Sequence, residues 1–147
     1  MDIITEPNKI LHQKLEAVPE INPKIKELIS AMRIKMVEAQ GVGLAANQVG
    51  ENLQVFVIDK KLAEENKVPD AFINPEISEY SREKDEIEEG CLSLPDYFVT
   101  VPRSKKIKIK ALDENGKKVR FKAKGFLARV LQHETDHLNG LLIKDRA

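Results

Sequence analysis

The stretch Lys106-Ile107-Lys108-Ile109-Lys110, then Asp113-Glu114-Asn115-Gly116, then Lys118-Val119-Arg120-Phe121-Lys122-Ala123-Lys124 decides the fold class. Apolar and basic residues alternate with a period of two on both sides of a turn-forming tetrapeptide, so the segment is a β-hairpin with one apolar face. Gly125 then leads into a helix predicted over Phe126 to Asn139 and closed by Gly140, a residue type that readily takes the left-handed conformation after a last turn. Upstream, Asn22-Pro23 opens a second helix with Ile25, Leu28, Ile29, Met32 and Met36 at helical spacing, and Gly41 is its stop. Leu53 to Asp59 and Ala71 to Asn74 read as short strands, the latter ended by Pro75. The segment Gly41 to Gly50 is too rich in glycine and small residues to be routine helix or strand. Strands and helices are segregated instead of alternating. The pattern predicts an α+β domain of short, mainly antiparallel strands packed around a central helix, with an amino-terminal helix.

The 147 residues contain no repeat and no long Pro/Gly/Ser linker, so residues 1–147 are expected to form one domain with an ordinary core. Twenty-four basic and 24 acidic side chains balance, which gives no global attraction to nucleic acid or acidic membranes. The lysines of the hairpin share one face, but no aromatic residue interleaves with them, so a solvated sheet face is the favoured reading over a nucleic-acid surface. No apolar run approaches the roughly 18 residues needed to span a bilayer. Met1 to Asn8 carry acids and a proline where a secretory signal has basic and apolar residues. Cys91 is the single cysteine and has no internal disulfide partner. These features predict a soluble, cytoplasmic globular domain.

Projecting the last helix at about 3.6 residues per turn puts Leu127, Leu131 and Leu138 along an apolar stripe, with Glu134 on the same stripe. His133 and His137 sit to one side with Phe126 and Val130; Arg129, Gln132 and Asp136 point the opposite way. A carboxylate facing a core is costly unless its charge is compensated, and two histidines one turn apart can hold a cation that does so. His133-Glu134-Thr135-Asp136-His137 is therefore an HExxH metal motif, with the glutamate placed for proton transfer. His12 has no acid or cysteine at ligand spacing and reads as an ordinary surface histidine.

A catalytic site of this kind usually needs a third protein ligand. Cys91, in Glu89-Gly90-Cys91-Leu92-Ser93, is the strong candidate: a lone cysteine is more often a buried small hydrophobe, but Gly90 and Pro95 suggest a constrained loop, and a thiolate with two imidazoles suits a borderline-soft divalent ion. Two alternatives stay open from the residues alone. One is an HExxH metallopeptidase cleaving an internal peptide bond, which usually takes a third histidine or a glutamate. The other is a closed structural zinc site, which needs a fourth ligand and leaves Glu134 unexplained.

Three separated segments carry a resemblance: Gly41-Val42-Gly43-Leu44-Ala45-Ala46-Asn47-Gln48, Glu89-Gly90-Cys91-Leu92-Ser93, and Gln132-His133-Glu134-Thr135-Asp136-His137-Leu138. In this order and spacing the chain resembles the peptide deformylases, which remove the formyl group from the initiating methionine of new proteins. The resemblance extends over nearly the whole chain. It implies that Cys91, His133 and His137 bind the metal, and that hydroxide on the metal attacks the formyl carbon with Glu134 as general acid/base. It also implies that the Gln48 side-chain amide and the Leu92 N–H stabilise the oxyanion. By the same carry-over Val42, Gly43 and Leu44 lie beside the substrate, Ile87, Phe126 and Val130 are candidates for the methionine pocket, and Glu89 supports the ligands. The implied cofactor is one Fe2+ per chain, for which Ni2+, Co2+ or Zn2+ can substitute. The implied substrate is the nascent formyl-methionyl peptide, with the ribosome as a transient partner, no direct nucleic-acid function and no membrane partner. The setting is a bacterial-type cytoplasm, or an organelle where a targeting segment has been removed.

Two departures qualify the resemblance. Many bacterial members place an arginine shortly after the proline of the cysteine loop, near the bound peptide, where this chain has Asp96-Tyr97-Phe98. Many also continue into a further carboxy-terminal helix associated with ribosome docking, where this sequence ends at Asp145-Arg146-Ala147. The expected methionine pocket, Val42, Ile87, Phe126 and Val130, is apolar, with no charged group near its mouth except those at the metal. Because Asp96-Tyr97-Phe98 lacks that arginine, residues downstream of methionine are expected to matter little.

Overall fold

In the computed structural model, which describes residues 1–147, helix α1 spans Pro23–Glu38. Asn22 caps it: the Asn22 side chain accepts from the Ile25 N–H at 3.1 Å, and Pro23 occupies the first turn, where its missing N–H costs nothing. One stripe, Ile25, Ile29, Met32 and Met36, is buried, and each such side chain stabilises the fold by roughly 1.5–3 kcal/mol. The chain leaves the helix through Gln40 in the left-handed region (φ 59°), just before the predicted stop at Gly41.

The apolar stripe of α1 covers a five-stranded antiparallel sheet. Its strands are β1 (Gly43–Ala45), β2 (Val55–Ile58), β3 (Ala71–Tyr80), β6 (Lys106–Leu112) and β7 (Lys118–Lys124), in the order β1-β2-β3-β6-β7. Between β2 and β3 a short helix, α2 (Lys60–Asn66), is capped by Asp59, whose carboxylate accepts from Leu62 N–H at 3.0 Å. The hairpin β6–β7 has the predicted register, with Ile109 opposite Phe121 on the inner face and Lys108 opposite Lys122 on the outer. Pro75 does not end β3. The strand bulges there, with a register shift between Ile73 and Glu76 and Asn74 at φ 51°, and continues to Tyr80. A bulge accommodates a residue without an N–H, and the Asn74 amide is tied to the Val18 backbone by two hydrogen bonds of 2.8 and 3.0 Å.

The remaining strands, β4 (Lys84–Cys91) and β5 (Leu94–Ser104), form a separate two-stranded ribbon. Cys91 stands at its tip, opposite Leu94 across a two-residue turn. Helix α3 (Gly125–Leu138) lies in the centre, followed by the single turn α4 (Ile143–Arg146). Gly140 takes φ 76° as the residue closing α3, and a Cβ there would stand 2.6 Å from the His12 backbone. The architecture is the α+β arrangement the sequence predicts. No helix is long and apolar enough to cross a membrane.

Candidate active site

Helix α3 is buried on nearly every side. Its apolar stripe meets the sheet, as predicted. The opposite side, carrying Arg129, Gln132 and Asp136, is not solvated, because the β4–β5 ribbon and α4 lie over it. Each polar group there has a partner. Gln132 brackets Ser104, accepting from its N–H at 3.1 Å and donating to its carbonyl at 2.8 Å. Arg129 donates to Glu89, to the Val101 carbonyl and to Asp85. Asp136 accepts from Arg103 and from Arg146. Full pairing is what lets charges sit inside a fold.

Glu89 is the hub. Its carboxylate accepts from Nε and Nη2 of Arg103, both at 3.1 Å, from Arg129, and from His133 Nδ1 at 2.9 Å. Burial alone raises its pKa, but the hydrogen bonds from His133 and Arg103 outweigh that and hold it at about 2. Glu89 is thus an anion that fixes the His133 ring and aims Nε2 at the space beyond. Asn47 donates to the His137 carbonyl at 2.8 Å, tying the other histidine's backbone to the Gly41–Gly50 segment.

Beyond the two rings lies Cys91. Its Sγ is 3.3 Å from His137 Nε2, which is 3.2 Å from His133 Nε2, and all three donor atoms lie within 4.8 Å of one another. Metal–nitrogen bonds of about 2.0–2.1 Å and a metal–sulfur bond of about 2.3 Å at tetrahedral angles give donor separations of roughly 3.3–3.6 Å. The two edges that meet at His137 match those of a tetrahedral site, and the soft sulfur and two imidazoles fit a divalent transition metal.

Glu134 stands beside this triangle, 3% exposed, with Oε2 3.9 Å from His133 Nε2 and Oε1 without any hydrogen-bond partner. Burial pushes its pKa up to about 7. Gly43 faces it: a Cβ at that position would stand 2.5 Å from Glu134 Oε2, so only glycine allows the strand so close. Gln48 is held by its own backbone neighbourhood. Its Oε1 accepts from Ala45 N–H at 3.0 Å, which turns Nε2 toward Ser93 Oγ (3.1 Å) and Cys91 Sγ (3.8 Å). Leu92 follows Cys91 in the turn, and its N–H has no backbone acceptor.

These groups line the inner end of a cleft of about 560 Å³ whose walls include Val42, Gly43, Ile87, Gly90, Phe98, Phe126 and Val130. Val42, Ile87 and Phe126 are about half exposed at its rim, and Val130 is buried at its base. Leu44 is different: its side chain is wholly buried in the core and does not line the cleft. The expectation of an uncharged mouth fails. Glu88 and Asp96 line the cleft, because the ribbon alternation and a bulge in β5 place them there. Sequence reading missed Arg103, Arg129 and Ser93 as supports. Ser93 lies inside the Glu89–Ser93 motif, but the arginines carry no local pattern that marks them as buried.

Three donors of metal-ligating type, an unpartnered carboxylate beside them and an open cleft define a metal-dependent hydrolase. The comparisons narrow the class. The family model described as polypeptide deformylase matches residues 1–147. A peptide deformylase from Dictyoglomus turgidum is 49% identical over the whole chain and 92% of its own length. One from Mesorhizobium japonicum is 43% identical over 97% of this chain and 81% of its own. The crystal structure of peptide deformylase from Thermotoga maritima superposes with a TM-score of 0.91 at 42% identity, covering 98% of this chain and 95% of that one. That from Synechococcus elongatus, in complex with actinonin, superposes with a TM-score of 0.92 at 38% identity, covering 100% and 78%. The chain belongs to the polypeptide deformylase family and is a metal-dependent enzyme that hydrolyses the formyl group from N-formylmethionine.

Proposed function

We propose that residues 1–147 act as one catalytic domain in which Cys91, His133 and His137 hold Fe2+, with Ni2+, Co2+ or Zn2+ as competent substitutes. The observation that carries this reading is the unpartnered Glu134 carboxylate, 3% exposed beside the three donor atoms. When bound, the ion supplies Lewis acidity and a nucleophile at neutral pH. Glu134, poised near neutrality by burial, accepts a proton from the attacking water and returns it to the leaving amine. The Gln48 amide and the Leu92 N–H donate to the oxygen on which negative charge develops; losing one such donor costs about 100- to 1000-fold. β1 is an edge strand, so its free side can add the extended substrate backbone next to Val42, Gly43 and Leu44. Of these, Leu44 contributes backbone only. Ile87, Phe126 and Val130 receive the methionine side chain, whose burial favours it over a small or charged residue by roughly 1–3 kcal/mol.

The substrate is the nascent formyl-methionyl chain in a bacterial-type cytoplasm, and the presenting ribosome is a transient partner met by the lysine face of β6–β7. Unchanged ribosome co-sedimentation after charge reversal of that face would remove this contact. The reaction is tested by anaerobic purification, metal analysis, and formate release from formyl-Met-Ala. Formyl-Met peptides should far exceed acetyl-Met peptides in kcat/KM. Comparable values would overturn the assignment of roles, whereas comparable values for formyl-Ala would only displace the pocket. Iron-loaded protein should lose activity in air while nickel-loaded protein keeps it; equal persistence would count against iron on Cys91.

A further inference from the structure

The two donors assigned to the developing oxyanion come from separate parts of the chain, Gln48 from the turn Ala46–Val49 and Leu92 from the tip of the β4–β5 ribbon. The amino-terminal segment joins them. Ile4 N–H donates to the Gln48 carbonyl at 2.7 Å, and Glu6 N–H donates to the Ser93 carbonyl at 2.9 Å. Between these two bonds, the Ser93 hydroxyl donates to the Ile4 carbonyl at 2.7 Å. Ser93 is wholly buried. Its single hydroxyl hydrogen is given to Ile4, so it offers only a lone pair to Gln48 Nε2, 3.1 Å away. The orientation of the glutamine amide follows: Oε1 accepts from Ala45 N–H, one Nε2 hydrogen goes to Ser93, and the second stays available toward the cleft. Turned end for end, the amide would set N–H against N–H at Ala45 and lone pair against lone pair at Ser93.

The segment has its own lock. The Glu6 side chain, 14% exposed, accepts from Lys144 Nζ on one carboxylate oxygen and meets His12 Nε2 on the other, both at 2.6 Å. Lys144 stands on α4, which is seated by buried Ile143 and by the Arg146 pair with Asp136. The His12 backbone packs against Gly140 at the close of α3. None of Ile4, Glu6, His12 and Lys144 lines the cleft or belongs to the metal-ligating cluster, yet the bonds they support end on Gln48 and Ser93. We propose that Ile4–Glu6 is a positioning strap for the two oxyanion donors, with Ser93 as its joint and the Glu6 carboxylate as its lock. This rests on the proposed roles of Gln48 and Leu92.

The first test is Ser93→Ala, assayed on formyl-Met-Ala. Because the Gln48 donor is loosened and not removed, kcat should fall about 3- to 30-fold, less than for loss of a donor. KM and cobalt affinity should stay within about twofold of the parent, a split that general destabilisation does not produce. In a Gln48→Ala background the further loss should shrink to about twofold or less, since residues that act as a unit are not additive. The lock is read by hydrogen exchange. The Ile4 amide should exchange about 2- to 5-fold faster in Glu6→Gln and in Lys144→Met, and at the parental rate in Lys144→Arg. An unchanged Ile4 rate in Glu6→Gln would overturn the proposal, and this arm decides alone where Ser93→Ala does not fold. Parental kcat in a folded Ser93→Ala enzyme, where Gln48→Ala is impaired, would overturn it too, as would a full Ser93→Ala loss that persists in the Gln48→Ala background. Exchange of the Gln48 side-chain amide protons separates the strap from the oxyanion role. Protection that is lost in Ser93→Ala, with parental kcat in Gln48→Ala, would support the strap and refute the oxyanion role. Protection untouched by Ser93→Ala, with kcat in Gln48→Ala down about 100-fold or more, would do the reverse.

Discussion

Helices α1 and α3 are of similar length, 16 and 14 residues, yet they are buried by different physics. α1 presents one apolar stripe to the sheet and leaves Ile34 and Val37 in solvent. α3 is covered on both sides, and more than half of its buried positions carry groups that can hydrogen-bond or ionise: Arg129, Gln132, Glu134, Thr135, Asp136 and His137. The contents of α1 are interchangeable in kind, since any apolar side chain of about the right volume serves. Those of α3 are not, because Arg129, Gln132 and Asp136 each meet particular partners across the fold and Glu134 and His137 stand at the metal-ligating cluster. An element whose burial exceeds what its hydrophobic pattern explains is being held for its chemistry.

The largest expected effect lies on α3. Glu134→Gln preserves shape but cannot shuttle a proton, so formate release should fall about 100- to 10,000-fold while metal content stays at one per chain. On α1, Met32→Ala should leave turnover per folded molecule unchanged. Substantial residual activity in a metal-loaded Glu134→Gln variant would erase the functional half of the contrast.

Stability sharpens it next. Arg103→Met removes the cation that Glu89 and Asp136 share and leaves Glu89 with Arg129 and Asp136 with Arg146, so the lost buried hydrogen bonds should cost about 1–3 kcal/mol in urea unfolding. Met32→Ala removes a wholly buried side chain and should cost about 2–5 kcal/mol. The two separate in a cobalt or zinc titration. Loss of Arg103 loosens Glu89, and through it the His133 ring, so metal affinity should drop about 10- to 100-fold. Loss of Met32 should leave it alone. Equal metal affinity in both variants would mean that the arginine cluster only stabilises.

The same contrast explains what the sequence discloses. The stripe of α1, the capping Asn22, the β6–β7 alternation and the close at Gly140 follow from local periodicity and turn chemistry, and all were legible. Within the site, His133, Glu134 and His137 are spaced by one helix turn, so their grouping is local too. Cys91 is 42 residues away and was identified by donor chemistry and motif resemblance. Arg103 and Arg129 carry no local signal of burial, because burial of a charge is decided by a partner across the fold, and Glu89, Asp85 and Asp136 come from different elements. The β4–β5 ribbon was illegible for a related reason: in Lys84 to Glu89 the charges on both faces hide the strand period, since one face is paid for by buried arginines instead of by apolar packing. Pro75 misled because a bulge, not a strand end, absorbs its missing N–H.

The smallest effect tests the rim of α1, where charge is paired at the surface. Arg33 donates to Asp70 at 2.6 Å and to Glu114 at 2.7 Å, bridging the helix to the turn of the β6–β7 hairpin. The Arg33 hydrogen bond holds the Glu114 carboxyl below the usual carboxylate range, with burial opposing it. A carboxyl whose folded pKa is depressed binds fewer protons when folded. Its contribution is therefore complete above the unfolded value of about 4.3 and is lost as pH falls through the folded value. Because the Glu114 side chain is 35% exposed, water screens the pair and the contribution should be only a few tenths to about 1 kcal/mol. Glu114→Gln should accordingly unfold slightly earlier than the parent in urea at pH 7, by a gap that is flat down to about pH 5 and closes below about pH 4. Salt at about 1 M should narrow the gap at pH 7, since surface pairs are screened, while leaving the deficit of Arg103→Met in place. A gap that widens on acidification would mean that Arg33 does not stabilise the Glu114 anion, and that the rim of α1, like its stripe, is held by packing alone.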